Sequence, residues 1–478
     1  MSEEREDKAQ LVGRRHWRSL EDLADSPRVR EILEREFPEH ASEWDDPKGR
    51  RQFLQLMGAS LALAGLANCT EPLGERIVPF VRQPEDLVPG KPLRYATAIR
   101  LAAGTMPVLV TSTMGRPIKI EGNPEHPESL GATDVFTQAA LLTLYDPDRS
   151  KTVTNLGAIR PYSDLLGVMH DAAEAQRASR GAGLRILTGA VTSPTLAWQI
   201  GELLQTFPEA KWHRYEPVDD ENILAGARMA FGEPVEAHLH LDQADVILSL
   251  DSDFLGGGAG QVRHAKEFAR RRRAPEEGAA ASSSRKDTMN RLYVAESMPT
   301  LTGAMADHRL RLRSGDVAVL ARAVAAGLGV LGVSRPADVP RLSEADLAAS
   351  LGVPGAKRPA SVPGISEAMI SALIKDLAKH SSRSLVVVGP AQPPEVHALA
   401  HAMNHALGNT GTTVTYHAPV DAGAMVAGSF SELANDMGSG RVQLLMVLGG
   451  NPVFTAPVDI AFTELLTKVG LTIHLGLY

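Results

Sequence analysis

Three groups of side chains in this sequence have types and spacings that could do chemistry. His238 and His240 flank Leu239, so on a strand both rings face one way, as metal ligands could. The sequence shows no third ligand beside them, and hydrogen-bonded or solvated histidines are the plainer expectation. His397, His401 and His405 recur at i, i+4 and i+8 on one face of an expected helix, Glu395–Leu407. That spacing also suits a metal, but no HExxH pattern accompanies it, and the Ala and Leu neighbours favour a packed helix. Asp251, Ser252 and Asp253 follow an expected strand, Val246–Leu250, where such residues either contact ligands or cap turns. No GxSxG nucleophile turn, GxGxxG or GxxxxGK[ST] phosphate loop is present. No residue is therefore expected to be catalytic, cofactor-binding or metal-ligating.

The cysteine count sharpens this. Of 478 residues only Cys69 is a cysteine. That excludes an intrachain disulfide, and it excludes a Cys-ligated zinc site or iron–sulfur cluster built by this chain alone, since each needs several thiolates. The composition is that of a globular protein, with 44% hydrophobic and 22% charged residues. A net charge of −8 argues against nucleic acid as a partner. The length allows for roughly three domains of about 150 residues.

Arg50 and Arg51 precede an uncharged run, Phe53–Leu66, of 14 residues. The run is shorter than the ~20 apolar residues of a membrane-spanning helix and matches the ~7–15 of an export-signal apolar region. Arg50-Arg51-x-Phe53-Leu54 resembles the twin-arginine export signal, with departures at Gly49 and Gln55. The alternative is a buried Leu/Ala-rich helix with a basic start. Leu66-Ala67-Asn68-Cys69 resembles a lipobox, which would make Cys69 a lipid-attachment site, although Asn68 is larger than the usual residue there. The alternative is a free buried thiol. Residues 1–49 carry 9 basic and 14 acidic side chains, an unusually acidic leader, and Trp17–Phe37 has the spacing of one or two amphipathic helices.

The prolines of Ile77–Pro92 preclude a regular helix. Met106–Val110 and Pro117–Glu121 are expected to pair as a hairpin around Met114-Gly115-Arg116. From Leu184 onward short apolar runs alternate with helical stretches. The expected strands are Leu184–Thr188, Val246–Leu250, Leu292–Glu296, Leu385–Gly389, Leu444–Gly449 and Leu471–Leu475. The expected helices include Thr195–Thr206, Glu395–Leu407 and Ile460–Val469. Continuous apolar strands between helices predict parallel sheets covered on both faces. Gly189, Gly256, Gly389, Gly449 and Gly450 follow strands, where the ligand crevice of such sheets lies. Arg270–Arg273 are expected to close a helix, followed by a surface loop, Ala274–Lys286; Arg335–Pro363 is expected to be a link.

An ordered set of segments carries a family resemblance. Gly115–Pro127 (GRPIKIEGNPEHP), Leu144–Arg149 (LYDPDR), Leu385–Gln392 (LVVVGPAQ), Gly408–Gly411 (GNTG) and Leu448–Pro452 (LGGNP) together resemble molybdopterin oxidoreductases of the bis-guanine-dinucleotide type, over about residues 90–478. The leader HWRSLEDLADSPRVREILEREFP, with SEWDDP, Phe80–Pro92 and Tyr95-Ala96-Thr97, resembles the molybdopterin-oxidoreductase-like subunits of alternative complex III, a bacterial quinol-oxidising assembly. The resemblance implies an α/β, multi-lobed fold with doubly wound, mostly parallel sheets and a small β-rich N-terminal lobe. It also implies a half without molybdenum cofactor, with iron–sulfur clusters in a ferredoxin-like half. Active relatives carry an N-terminal four-Cys motif. Here Tyr95–Val110 has no Cys, and Leu130–Thr137 (LGATDVFT) lacks the last cluster Cys and the following Lys.

The expected organisation is a leader (1–49), a signal and lipobox (50–69), a Pro-rich segment (70–92), a β-rich lobe (93–150), an α/β lobe (151–380) and a second α/β lobe (381–478). The last is expected to be incomplete at its C-terminal edge, either as a fragment or, if the two halves are separate chains, completed by the partner chain. The resemblance implies a non-catalytic scaffold on the periplasmic face of the cytoplasmic membrane. It would bind no cofactor itself. Its partners would be the cluster-bearing half, multihaem cytochrome and integral-membrane quinol-oxidising subunits. The rivals are an active molybdopterin oxidoreductase with a non-Cys metal ligand and a periplasmic binding protein.

Overall fold

A computed structural model describes residues 87–101, 104–218, 220–272, 289–330 and 362–478. The chain divides after Glu85, and every described residue lies in the second of its two units. Arg50, Arg51, Phe53, Leu54 and Cys69 lie outside the described residues, as do Trp17–Phe37, Ala274–Lys286 and nearly all of Arg335–Pro363.

A three-stranded antiparallel sheet comes first, from β1 (Leu93–Leu101), β2 (Gly104–Thr113) and β3 (Arg116–Gly122). The β2–β3 turn is the expected hairpin. Met114 and Gly115 both take positive φ, 51° and 78°, as a two-residue turn matched to strand twist requires. A short hairpin, β4 (Val153–Asn155) with β5 (Ala158–Arg160), leads into helix α1 (Tyr162–Arg177).

Strands and helices then alternate. In order they are β6 (Leu184–Thr188), α2 (Pro194–Thr206), β7 (Lys211–Arg214), α3 (Glu221–Phe231), β8 (Glu236–Leu239), β9 (Val246–Leu250) and α4 (Gln261–Arg270). There follow β10 (Arg291–Glu296), β11 (His308–Arg311), α5 (Ser314–Gly327), α6 (Glu367–Lys379), β12 (Ser384–Val388) and α7 (Pro394–Ala406). The series ends with β13 (Val414–His417), α8 (Phe430–Gly438), β14 (Leu444–Leu448) and β15 (Leu471–Leu475). Helix starts carry their signals: the Ser193 side chain accepts from Leu196 N ahead of Pro194, and Ser429 and Glu432 form a reciprocal capping box.

These strands build two parallel four-stranded sheets, ordered β11-β10-β9-β12 and β15-β14-β6-β7. In the first, alternate residues of β9 face opposite cores. Val246, Leu248 and Leu250 pack with α5, α6 and α7, whereas Ile247 packs with Phe254, Phe268 and Val414. Burying each such side chain stabilises the fold by about 1.5–3 kcal/mol. In the second sheet Leu187, Leu445 and Val447 cover α8 through Phe430, Leu433 and Met437. Ile186 and Trp212 pack against Ile200 of α2. β8 and β13 form a separate antiparallel ribbon.

Two expectations need correction. Both sheets draw strands from each side of residue 380, so that position does not part them as two lobes would require. The expected helix Ile460–Val469 is broken: a 3-10 turn, Val458–Ile460, ends at Ala461 with φ 47°, and only Phe462–Leu466 is α-helical. A right-handed helix cannot run through a left-handed residue.

Candidate functional site

The carboxyl ends of the two sheets approach the start of the same helix. Asp220, at the N-cap of α3, pairs with Arg214 at the end of β7, 2.5 Å away. Two residues on, the Asn222 amide donates to Pro390 O, just beyond β12, at 3.3 Å. The strand-end crevice of an α/β protein is thus assembled here from both sheets.

Carboxylates line it. After β6, the backbone N–H groups of Ala190 and Val191 lie past the end of the strand, where such groups can meet an anion. Ala190 N donates instead to Glu216 Oε1 at 2.7 Å, and Val191 N to Asp421 Oδ1 at 2.7 Å. Asp421 also accepts from Gly423 N at 3.0 Å and pairs with Arg214 Nε. Burial works against the Arg214 charge, but Asp220 and Asp421 outweigh it and hold its pKa above the ordinary arginine value. Arg100 from β1 donates to Glu216 at 2.6 Å. A Cβ on Gly189 would lie 2.3 Å from the Glu216 carboxylate, so the space above this strand end is filled.

The other sheet is closed in the same way. Asp251 takes a left-handed φ of 58° and accepts from Gln392 Nε2 at 2.9 Å and Ser314 Oγ at 3.1 Å. Its backbone oxygen would stand 1.8 Å from a Cβ on Gly389, so only glycine fits after β12. Ser252 is tied to Ser249, and Asp253 accepts from Thr302 N and Oγ1 at 2.9 and 2.7 Å. All three residues of the 251–253 triplet thus serve internal contacts, the capping role weighed above. Beside Gly449 and Gly450, after β14, nothing stands within 4 Å of where a Cβ would lie.

The histidines of α7 do not converge. His397 is buried and turns toward the backbone of Gly389 and Gln392, His401 Nδ1 lies 3.1 Å from the Tyr416 hydroxyl, and His405 is exposed. Among the described residues no group of three His, Cys, Asp or Glu is placed to hold a metal. His401 is half-buried as a residue, but its Nε2 is out of reach of solvent and unpartnered. Burial pushes His401 down to about 3 and His397 to about 4; burial and then Arg263 push His264 to about 3.

These lowered values fix a sign. The unfolded chain protonates each ring near its ordinary value while the folded chain keeps it neutral, so stability falls as pH drops below about 6.5. The loss continues to the folded values, at about 1.4 kcal/mol per pH unit per ring. Urea unfolding midpoints measured from pH 7 to 5 should fall steeply in the wild type. In His401→Gln the slope should lessen by about one proton; an unchanged slope would show that His401 is not held neutral.

Glu216, Asp220, Asp421 and Arg214 were not singled out by sequence, where they stand in loops or a charged strand with no recurring pattern. Gln392 lay within the LVVVGPAQ segment. No family model and no curated protein matches the chain. Among solved structures, acetylene hydratase from Pelobacter acetylenicus superposes with a TM-score of 0.53 at 12% identity, covering 79% of this chain and 58% of that one. The chain therefore spans less than two thirds of that enzyme. The formyltransferase/hydrolase complex FhcABCD from Methylorubrum extorquens aligns at a TM-score of 0.38 and 15% identity, covering 65% of this chain and 84% of that one, too low to bear on the fold. The expected fold class is found. The protein is α/β, with parallel sheets and a small antiparallel N-terminal sheet, and its fold resembles that of molybdopterin oxidoreductases.

That fold raises the question of a pterin dinucleotide at the strand ends. The residues there do not fit an anionic group. The Ala190 and Val191 amides are taken by Glu216 and Asp421, and those carboxylates are in turn paired with Arg100 and Arg214. A pyrophosphate would have to displace Glu216 and Asp421 both from these amides and from Arg100 and Arg214.

Proposed function

We propose that this chain is a non-catalytic structural subunit of a membrane-associated, quinol-oxidising respiratory complex, the molybdopterin-oxidoreductase-like component of alternative complex III. One observation carries this reading: the strand-end amides after β6 are satisfied by the chain's own carboxylates, so this strand end offers an anionic cofactor no free amides. The single cysteine agrees with it, because the chain by itself cannot ligate an iron–sulfur cluster through thiolates. Electron transfer would belong to partners: a cluster-bearing ferredoxin-like half, multihaem cytochrome and integral-membrane subunits. The chain would hold them in register.

No helix among the described residues is long and apolar enough to cross a membrane. Attachment would come through partners and through lipid on Cys69, after twin-arginine export signalled by Arg50, Arg51, Phe53 and Leu54. Partner subunits would cover apolar side chains that stand largely exposed, among them Leu156 and Ile159 of the β4–β5 hairpin, Phe454, Val458 and Leu475.

Capture of the chain from detergent-solubilised membranes of its native host tests the proposal. Haem-staining and integral-membrane subunits should co-purify. A soluble monomer without partners would contradict it and favour a periplasmic binding protein. Mass spectrometry of the mature N-terminus should find Cys69 acylated; an unmodified thiol there would remove the lipid anchor from the proposal.

A further inference from the structure

The N-terminal sheet is ordered β1-β2-β3, so β1 and β3 are its edges. On β3 the Tyr145 hydroxyl donates to Pro117 O. The free edge of β1 has no such cover. Leu101 stands opposite Gly104 with two residues between them, and a ladder that closes this way must hydrogen-bond that pair. Hydrogen-bonded pairs then recur at every second position, at Ile99, Thr97, Tyr95 and Leu93. Arg94, Ala96, Ala98 and Arg100 therefore turn their N–H and C=O groups away from β2. None of these backbone groups has a partner among the described residues, and all four residues are exposed.

Natural sheets blunt such an edge with proline, charge, a bulge or short length. β1 uses none of these along its middle. It runs for 9 residues, LRYATAIRL, without proline, and Tyr95–Ile99 is uncharged. Its register with β2 is unbroken, and the one shift in the sheet lies between β2 and β3. The side chains indicate what would pair with it. Arg94, Ala96, Ala98 and Arg100 share one face of the strand. Arg100 already holds Glu216 at 2.6 Å, whereas Arg94 has no ion-pair partner among the described residues. A carboxylate directly opposite on an added strand would supply one. β1 itself contains no acidic residue, so a second copy of β1 cannot.

We propose that β1 is a docking edge for an extended, acidic segment of another protein, which adds to this sheet as a fourth strand. The outward groups of Arg94, Ala96, Ala98 and Arg100 give main-chain affinity, and Arg94 selects for negative charge. The small side chains of Ala96 and Ala98 leave that face open to the side chains of the incoming strand. This inference does not depend on the respiratory role.

Fluorescence anisotropy of the full chain with a labelled peptide of alternating glutamate and valine is the test, with circular dichroism to confirm that each variant is folded. The wild type should bind the peptide, and hydrogen exchange over Leu93–Leu101 should slow when it does. Ala96→Pro and Ala98→Pro each remove an outward N–H without touching the ladder to β2, where an edge strand tolerates proline. Each should bind the peptide about tenfold more weakly. Arg94→Glu should weaken binding about 2–5-fold. No binding by the folded wild type, equal binding by the folded proline variants, or a wild-type dimer that Ala96→Pro dissociates would overturn the proposal.

Discussion

Asp436→Ala should destabilise the protein by about 3–5 kcal/mol, the cost of stranding a buried charge. Arg185 lies within β6 and Asp436 on α8, and both side chains are only 4% exposed. Arg185 Nε donates to Asp436 Oδ2 at 2.8 Å, and its Nη1 donates to Ala182 O and Leu184 O. Lys211 and Arg441 reach the same carboxylate at 3.3 and 2.9 Å. Burial works against the Asp436 charge, but Arg185 and then Lys211 outweigh it and hold its pKa below the usual carboxylate range. The pair's contribution is therefore present above the ordinary carboxylate pKa and is lost as pH falls through the lowered folded value. Removing the carboxylate leaves a guanidinium inside a packed sheet with two carbonyl acceptors and no counter-charge. Denaturant unfolding measures the loss. The double variant Arg185→Met with Asp436→Leu should recover most of it, because apolar side chains of similar volume often replace a buried pair at little cost. A loss under about 1 kcal/mol in Asp436→Ala would mean that the pair behaves as a surface bridge.

Asp421→Ala is expected to have the next largest effect, about 3 kcal/mol, because it takes one of the two carboxylates from the buried Arg214 and frees the Val191 and Gly423 amides. It also tests how the crevice is closed. Inorganic pyrophosphate should leave the thermal midpoint of the wild type unchanged. It should raise that of Asp421→Ala, where two amides and Arg214 become available to an anion. Equal stabilisation of both proteins would show that the strand-end amides are accessible despite Glu216 and Asp421.

What could be foreseen from sequence follows burial. β6, β9, β10, β12, β14 and β15 were legible because Leu, Val, Ile or other apolar residues make up most of each, and most are buried on both faces. β7 (KWHR) and β11 (HRLR) were not, because charged residues hide their one or two apolar side chains. Which strands share a sheet was equally hidden: β6 pairs with β14 across most of the chain. The crevice was legible only as a place. The glycines after strands marked it, but the carboxylates that fill it arrive from loops, Asp421 meeting Val191 across 230 residues.

The central proposal is that a fold resembling that of molybdopterin oxidoreductases serves here without a molybdenum cofactor. Molybdenum and pterin analysis of the chain, isolated from native membranes with the subunits proposed to accompany it, tests it most directly. On this proposal iron and haem should accompany the chain, with molybdenum and pterin fluorescence at background. Molybdenum and pterin in near-stoichiometric amount with the chain would contradict the claim and make the protein an enzyme with a non-cysteine metal ligand.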